Sequence, residues 1–277
     1  MRLDPTAATA GFRLIAHDVV GSTNAEALTA ARAGDRGPLW VVAGEQTAGR
    51  GRRGREWVSA PGNLHASLLL FDPAPLETAP QLAFVAGLAV HDAIVERVRD
   101  LRDALALKWP NDVLHAQKKL AGILIESEMA GSRLAVAVGI GVNCSRHPAQ
   151  ASFPATDIAE AGGKVSPESL LAVLSHCMMK RLDQWNRGAG FCGIRADWLD
   201  RATGLGGEIT VRLPGRELAG YFEGLDDAGH LLLRGADGKL QTITAGDVFP
   251  AATPPAPVVS MLRKTAQDSL RSKGQGK

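Results

Sequence analysis

Apolar and polar positions in this chain change rhythm at intervals, and each change marks an element. Short apolar or alternating runs at 12–17, Leu39–Ala43, Leu64–Phe71 and Ala104–Trp109 predict strands. Two β-rich segments, Leu120–Glu128 and Arg133–Val142, flank Met129-Ala130-Gly131-Ser132 and predict a hairpin with a glycine-containing loop. Thr23 followed by Glu26 has the capping-box pattern and predicts an alanine-rich helix to about residue 33. Leu82, Val85, Leu88, Val95 and Val98 recur near helical spacing, predicting a helix over 80–102. Ser166-Pro167-Glu168 puts proline at its favoured first helical position and opens a helix to Trp185. That helix would turn Leu170, Leu174, Cys177, Met178 and Trp185 toward a core.

The texture changes at Gly206-Gly207. Short strands (Ile209–Leu213, Glu217–Glu223, Leu231–Arg234, Leu240–Thr244) follow, separated by Gly and Asp turns, and their size suits a small SH3-like barrel. The organisation predicted is a large domain over 1–206, a small one over 207–250 and a loosely ordered tail over 251–277.

Composition narrows the function. Apolar residues are 45% of the 277 and charged residues 22%, as in ordinary globular proteins. A formal net charge of +2 gives no global field for nucleic acid or an anionic membrane, so basicity must act locally. The apolar run Leu82–Val90 is far below the roughly 20 residues of a membrane span. Met1–Gly11 lacks the pattern of a secretory signal. The three cysteines and seven histidines show no metal-ligand spacing, so no protein-bound transition metal is expected. A cytoplasmic protein with reduced thiols fits this usage, and Cys144 reads as a small core residue.

The local basicity is concentrated in Gly49-Arg50-Gly51-Arg52-Arg53-Gly54-Arg55, with four arginines and three glycines in seven residues. Such a segment has little to bury and should not hold one conformation unaided. It could be a solvated loop, a nucleic-acid patch, or a loop that a smaller polyanion orders. A second cluster, Lys108-Trp109-Pro110-Asn111-Asp112, is followed by Lys119-Leu120-Ala121-Gly122. Pro110 forces a turn that exposes Asn111 and Asp112. Two lysines around one carboxylate could neutralise phosphate and position an acid–base group. A surface Lys–Asp pair beside a buried tryptophan is the plainer alternative.

Taken together with Gly21-Ser22-Thr23-Asn24, Gln46 and Gly139-Ile140-Gly141-Val142-Asn143, these motifs resemble those of biotin protein ligases in order and spacing. The resemblance spans roughly residues 12–250. It implies an α+β catalytic domain related to class II aminoacyl-tRNA synthetases, with a small C-terminal SH3-like barrel. It also implies two half-reactions: biotin and Mg–ATP give biotinyl-5′-AMP, and a carrier lysine then displaces AMP. Ser22, Thr23, Asn24 and Gln46 would line the biotin site. Arg50, Gly51 and Arg52 would close over biotin and the adenylate. Lys119 would contact the biotin carboxyl or acyl phosphate, with Lys108 beside the phosphates, and Trp57 and Asn143 would belong to the adenine pocket. Many members of that family carry an N-terminal DNA-binding winged helix; with eleven residues before 12, none is expected here.

Chemistry accounts for the residue types independently. An ionised carboxylate must meet a triphosphate, which calls for Arg, Lys and the Mg²⁺ that accompanies ATP. The mixed anhydride hydrolyses readily, so a loop that shuts over it protects it. A carrier lysine is neutral in only about one molecule in 2,500 at pH 7, and Asp112 is the candidate to orient it and accept its proton. The acceptor implied is the biotin carrier domain of acetyl-CoA carboxylase or a related carboxylase. Apolar strand edges could also pair two copies into a homodimer. A lipoate–protein ligase, a nucleic-acid-binding regulator and a passive biotin-binding module are the competing readings.

Overall fold

The computed structural model describes residues 1–149 and 153–250. The predicted tail over 251–277 lies outside the described residues. A seven-stranded sheet forms the body, with strands β1 (Arg13–Val20), β2 (Leu39–Gln46), β3 (Leu64–Phe71), β4 (Leu105–Lys108), β5 (Asp112–His115), β6 (Lys118–Ala130) and β7 (Arg133–Val142). Its spatial order is β1-β2-β3-β7-β6-β5-β4. A short helix, α1 (Pro5–Thr9), precedes β1. Only the β1–β2 pair is parallel, because helix α2 (Thr23–Arg32) makes the crossover between them. The remaining neighbours are antiparallel.

Alternation along each strand sorts side chains onto two faces. Leu39, Val41 and Leu69 meet Ala27, Leu28 and Ala31 of α2 on one face. Trp40, Val42, Leu64, Ala66 and Leu68 join the main core on the other. That face is covered by α3 (Leu82–Arg97), α4 (Pro167–Trp185) and α5 (Phe191–Leu199). The continuous helical stretch Leu76–Arg97, which ends in α3, is long and apolar enough to pass for a membrane span, yet Leu82, Val85, Leu88 and Ile94 are buried in this core. α4 starts where expected, with Ser166 Oγ accepting from Ser169 N–H, and all five of its predicted core residues are buried.

Several elements differ from the sequence expectation. The N-cap of α2 is Ser22, one residue early, and Thr23 is already helical, so the Thr23–Glu26 capping box does not form. The 80–102 helix stops at Arg97, where Val98 leaves helical geometry (φ −139°, ψ 76°), and a 3-10 turn over Arg99–Ala104 takes the rest. The turn at Pro110 is answered by a strand, β5, too short and mixed in composition to stand out. The β6–β7 loop narrows to Gly131-Ser132, because Ala130 pairs with Arg133. α5 was also not anticipated.

The second sheet contains β8 (Glu208–Leu213), β9 (Arg216–Leu225), β10 (Leu231–Arg234), β11 (Leu240–Ile243) and β12 (Asp247–Pro250), all antiparallel in the order β11-β10-β9-β8-β12. β12 is not among the four strands delimited from the sequence; it pairs with β8, and its Val248 carbonyl accepts from Lys108 of β4. Ile209, Val211, Phe222 and Leu231 join the same hydrophobic cluster as α3 and α4, so both sheets share one core.

Candidate active site

A cleft of about 460 Å³ opens between the C-terminal ends of β1 and β2, the β6–β7 surface and β12. All of Ser22, Thr23, Asn24, Gln46, Arg50, Gly51, Arg52, Trp57, Lys108, Asp112, Lys119 and Asn143 line it.

One end is neutral and polar. Gln46 Oε1 accepts from the backbone N–H of Thr23 at 2.8 Å and from its hydroxyl at 3.1 Å. Gln46 thus caps the helix start that no local side chain caps, one of the unpaired N–H groups every helix begins with. Its Nε2 donates to Ser59 Oγ at 2.8 Å. Ser67 Oγ lies 2.7 Å from Thr23 Oγ1 and 2.6 Å from Asn24 Oδ1, and Asn24 Nδ2 donates to Glu126 at 2.8 Å. A Cβ on Gly139 would stand 2.6 Å from Asn24 Oδ1, so only glycine admits this amide.

The other end is cationic. Lys108 and Asp112 face each other across the β4–β5 hairpin, and Lys108 Nζ lies 2.9 Å from Asp112 Oδ2. Lys119 Nζ, arriving from β6, lies 2.6 Å from Oδ1 of the same carboxylate. Burial pushes the Asp112 carboxyl upward, but the charges of Lys119 and Lys108 outweigh it and hold the group below the usual carboxylate range. The surface-pair alternative fails here, because Lys108 is only 5% exposed. Nor does the turn at Pro110 expose Asp112 as expected: the residue is buried, only 9% exposed, under both lysines. Lys108 Nζ also reaches the Val248 carbonyl at 3.4 Å and stands 4.6 Å from the Phe153 ring centre.

Trp57 bridges the two ends. Gly122 and Gly141 pair across β6 and β7, and the indole lies over both; a Cβ on Gly141 would sit 2.4 Å from its ring. Lys119 Nζ is 5.4 Å from the same ring's centre. Asn143 is buried and donates its side-chain N–H to the Thr156 carbonyl at 3.0 Å.

In the structure the arginine loop forms a turn that has partners on both sheets. Gly51 N–H donates to the Arg55 carbonyl at 2.6 Å and Trp57 N–H to Gly49 at 3.0 Å, around a turn with Arg53 at φ 57° and Gly54 at φ 71°. Two carboxylates hold it. Arg50 pairs with Glu126 at 3.0 Å, while Arg53 and Arg55 reach Asp247 at 3.3 and 3.0 Å. Arg52 donates to Asn111 Oδ1 at 3.1 Å and to the Gly246 carbonyl at 3.3 Å. Burial lowers its pKa, as expected for a cation drawn out of water.

Glu126, Asp247, Ser67 and Phe153 were not foreseen. Each is a lone residue in an unremarkable stretch, and only the fold brings Asp247 and Phe153 to the cleft and sets Glu126 and Ser67 against residues that line it. Cys144 is buried, as anticipated, and burial pushes its thiol up to about 12, far from a reactive thiolate.

Residues 21–143 match the biotin/lipoate A/B protein ligase family, and 204–249 match the biotin protein ligase C-terminal domain. The biotin–[acetyl-CoA-carboxylase] ligase of Paracoccus denitrificans is 45% identical over 238 residues, covering 82% of this chain and 96% of the relative. The bifunctional ligase/repressor BirA of Bacillus subtilis is 35% identical over 86% of this chain and 74% of its own length. The biotin protein ligase of Aquifex aeolicus, solved in complex with biotin and ATP, superposes with a TM-score of 0.71 at 29% identity, covering 86% of this chain and 97% of that one. Its two-sheet α+β fold and these relatives together place the chain in the biotin protein ligase family.

Proposed function

We propose that the cleft activates biotin as biotinyl-5′-AMP and passes the biotinyl group to a lysine on the carrier domain of a carboxylase. The observation that carries this is the polarity of the cleft: a neutral hydrogen-bonding end beside an end where Arg52, Lys108 and Lys119 converge. A ligand with an uncharged polar head and an anionic tail fits that gradient, and ATP phosphates fit its cationic end.

In the first step a biotin carboxylate oxygen attacks the α-phosphorus of ATP, the bond to the β-phosphate breaks, and pyrophosphate leaves with its Mg²⁺. No proton moves, so the protein's work is to neutralise and align two anions. Ser22, Thr23, Asn24 and Gln46 would hold the head of biotin. Arg50, Gly51 and Arg52 would cover its tail, and Lys119 would meet the carboxyl oxygen. Lys108 and Arg52 would balance the phosphates, with Trp57 and Asn143 against the adenine.

In the second step the carrier amine attacks the acyl carbon and the bond to AMP breaks. Asp112, fixed between two ammonium groups, would align Lys108 and Lys119. It would take the amine's proton once phosphate draws those lysines away.

The division into a catalytic body over 1–206 and an attached sheet over 207–250 belongs to the same proposal, as does action in the cytoplasm. If two copies pair, the edge strand β1, with Ile15 and Val19 exposed, offers the surface for it.

Biotin-dependent ATP–pyrophosphate exchange tests the assignment, with lipoate in a parallel reaction. Exchange with biotin alone, lowered about a hundredfold or more in Arg52→Ala, is the expected result. Exchange with lipoate alone would keep the chemistry and change the substrate. A folded protein with no exchange in either reaction would overturn it.

A further inference from the structure

The reaction above uses Arg50 and Arg52 and leaves Arg53 and Arg55 without a task. Both reach across to Asp247, the first residue of β12. Arg55 Nη2 lies 3.0 Å from Oδ1, Arg53 Nη1 3.3 Å from Oδ2, and Arg52 Nη1 3.8 Å from Oδ1. The carboxylate is mostly buried, with 18% of its side chain exposed. The adjoining carbonyls of Gly246 and Val248 accept from Arg52 and Lys108. Three guanidiniums of like charge crowd one short loop, and Asp247 is the acid that gathers them. Glu126 holds the loop's other end through Arg50, but from the body's own sheet.

We infer that Asp247 is a positioning residue of the ligase reaction: a carboxylate latch by which the C-terminal sheet holds the arginine loop shut over the activated acyl group. The inference rests on the ligase reading. Without the latch, Arg52, Arg53 and Arg55 repel one another and the loop swings toward solvent. Water then reaches the mixed anhydride, adds to the acyl carbon and breaks its bond to the AMP oxygen. Biotin and AMP leave, and the protons released go to solvent.

The test uses the full chain with biotin and Mg–ATP and no carrier protein, following AMP release over many turnovers. Wild type is expected to form bound adenylate once and then leak slowly. Asp247→Asn is expected to leak about fivefold faster or more, the scale set by losing a paired, partly buried carboxylate. Asp247→Glu should restore retention, and Asp237→Asn, a surface acid of the same sheet, should behave as wild type. The double variant Arg53→Ala/Arg55→Ala removes the latch from the exposed side, leaves β12 intact, and should leak as Asp247→Asn does. Wild-type leakage in both the Asn and the double variant would overturn the latch while leaving the ligase standing. Absence of biotin-dependent AMP formation by wild type would overturn the ligase reading and the latch with it.

Discussion

At the scale of single residues, Asp112 shows how one carboxylate can serve both stability and chemistry. It is the counter-charge for Lys108, whose ammonium is almost wholly buried. Removing one partner of a buried pair strands the other, so Asp112→Asn is expected to cost about 3 kcal/mol, measurable by urea denaturation. The sign of its pH dependence follows from its depressed pKa. The stabilisation is complete above the ordinary carboxylate value of 3.8 and is lost as pH falls through the lower folded-state value. Wild type should therefore lose this contribution only below about pH 4, and Asp112→Asn should show a shallower acid limb. Supplying purified biotinyl-adenylate to the folded variant separates the two duties. Slowed amine transfer would keep Asp112 in the second step, and an unchanged rate would leave it a structural role alone.

At the scale of elements, α2 begins in the neutral end of the cleft and depends on a side chain from a neighbouring strand. Gln46→Ala deletes the acceptor of the Thr23 N–H and the donor to Ser59. A loss of about 1 kcal/mol in stability is expected, with weaker biotin binding by calorimetry. Unchanged values for both would show the helix start to be indifferent to Gln46. This cap also shows what the sequence conceals. Thr23 and Glu26 carry a local capping signal, but a partner 23 residues away outcompetes it, and no window of sequence contains both. That the twelve candidate residues would meet in one cleft was legible because they lie in short motifs at strand ends. Glu126 and Asp247 were not, since an isolated acid in a strand looks like any solvated surface position until folding sets arginines beside it. Short β5 and β12 were hidden for a related reason: each has too few residues to establish a rhythm, and pairing defines them.

At the scale of the whole molecule, the two sheets are joined by more than a linker. The turn between β9 and β10 presents Gly229 to the body, where its carbonyl accepts from the Trp109 indole at 3.0 Å. Gly229 has φ +89°, and a Cβ there would stand 2.8 Å from the Phe84 ring. Phe84 in turn packs edge-on against Phe191 and Trp198. Gly229→Ala should therefore destabilise by on the order of 2 kcal/mol through backbone strain and overpacking. Calorimetry is expected to show one transition in wild type and one, lowered, in the variant. Two resolved transitions would mean that the sheets melt independently.

The separation between the arginine loop and β12 also has a temporal side. Arg52 and Gly246 are 194 positions apart, so at about 5–20 residues per second the loop leaves the ribosome roughly 10–40 s before its partner strand. During that interval Arg53 and Arg55 lack Asp247, and only Arg50 can already reach its acid, Glu126. Arrival of β12 withdraws those charges into the protein's own surface. The acid that gathers these arginines is therefore among the last residues of the described site to be synthesised.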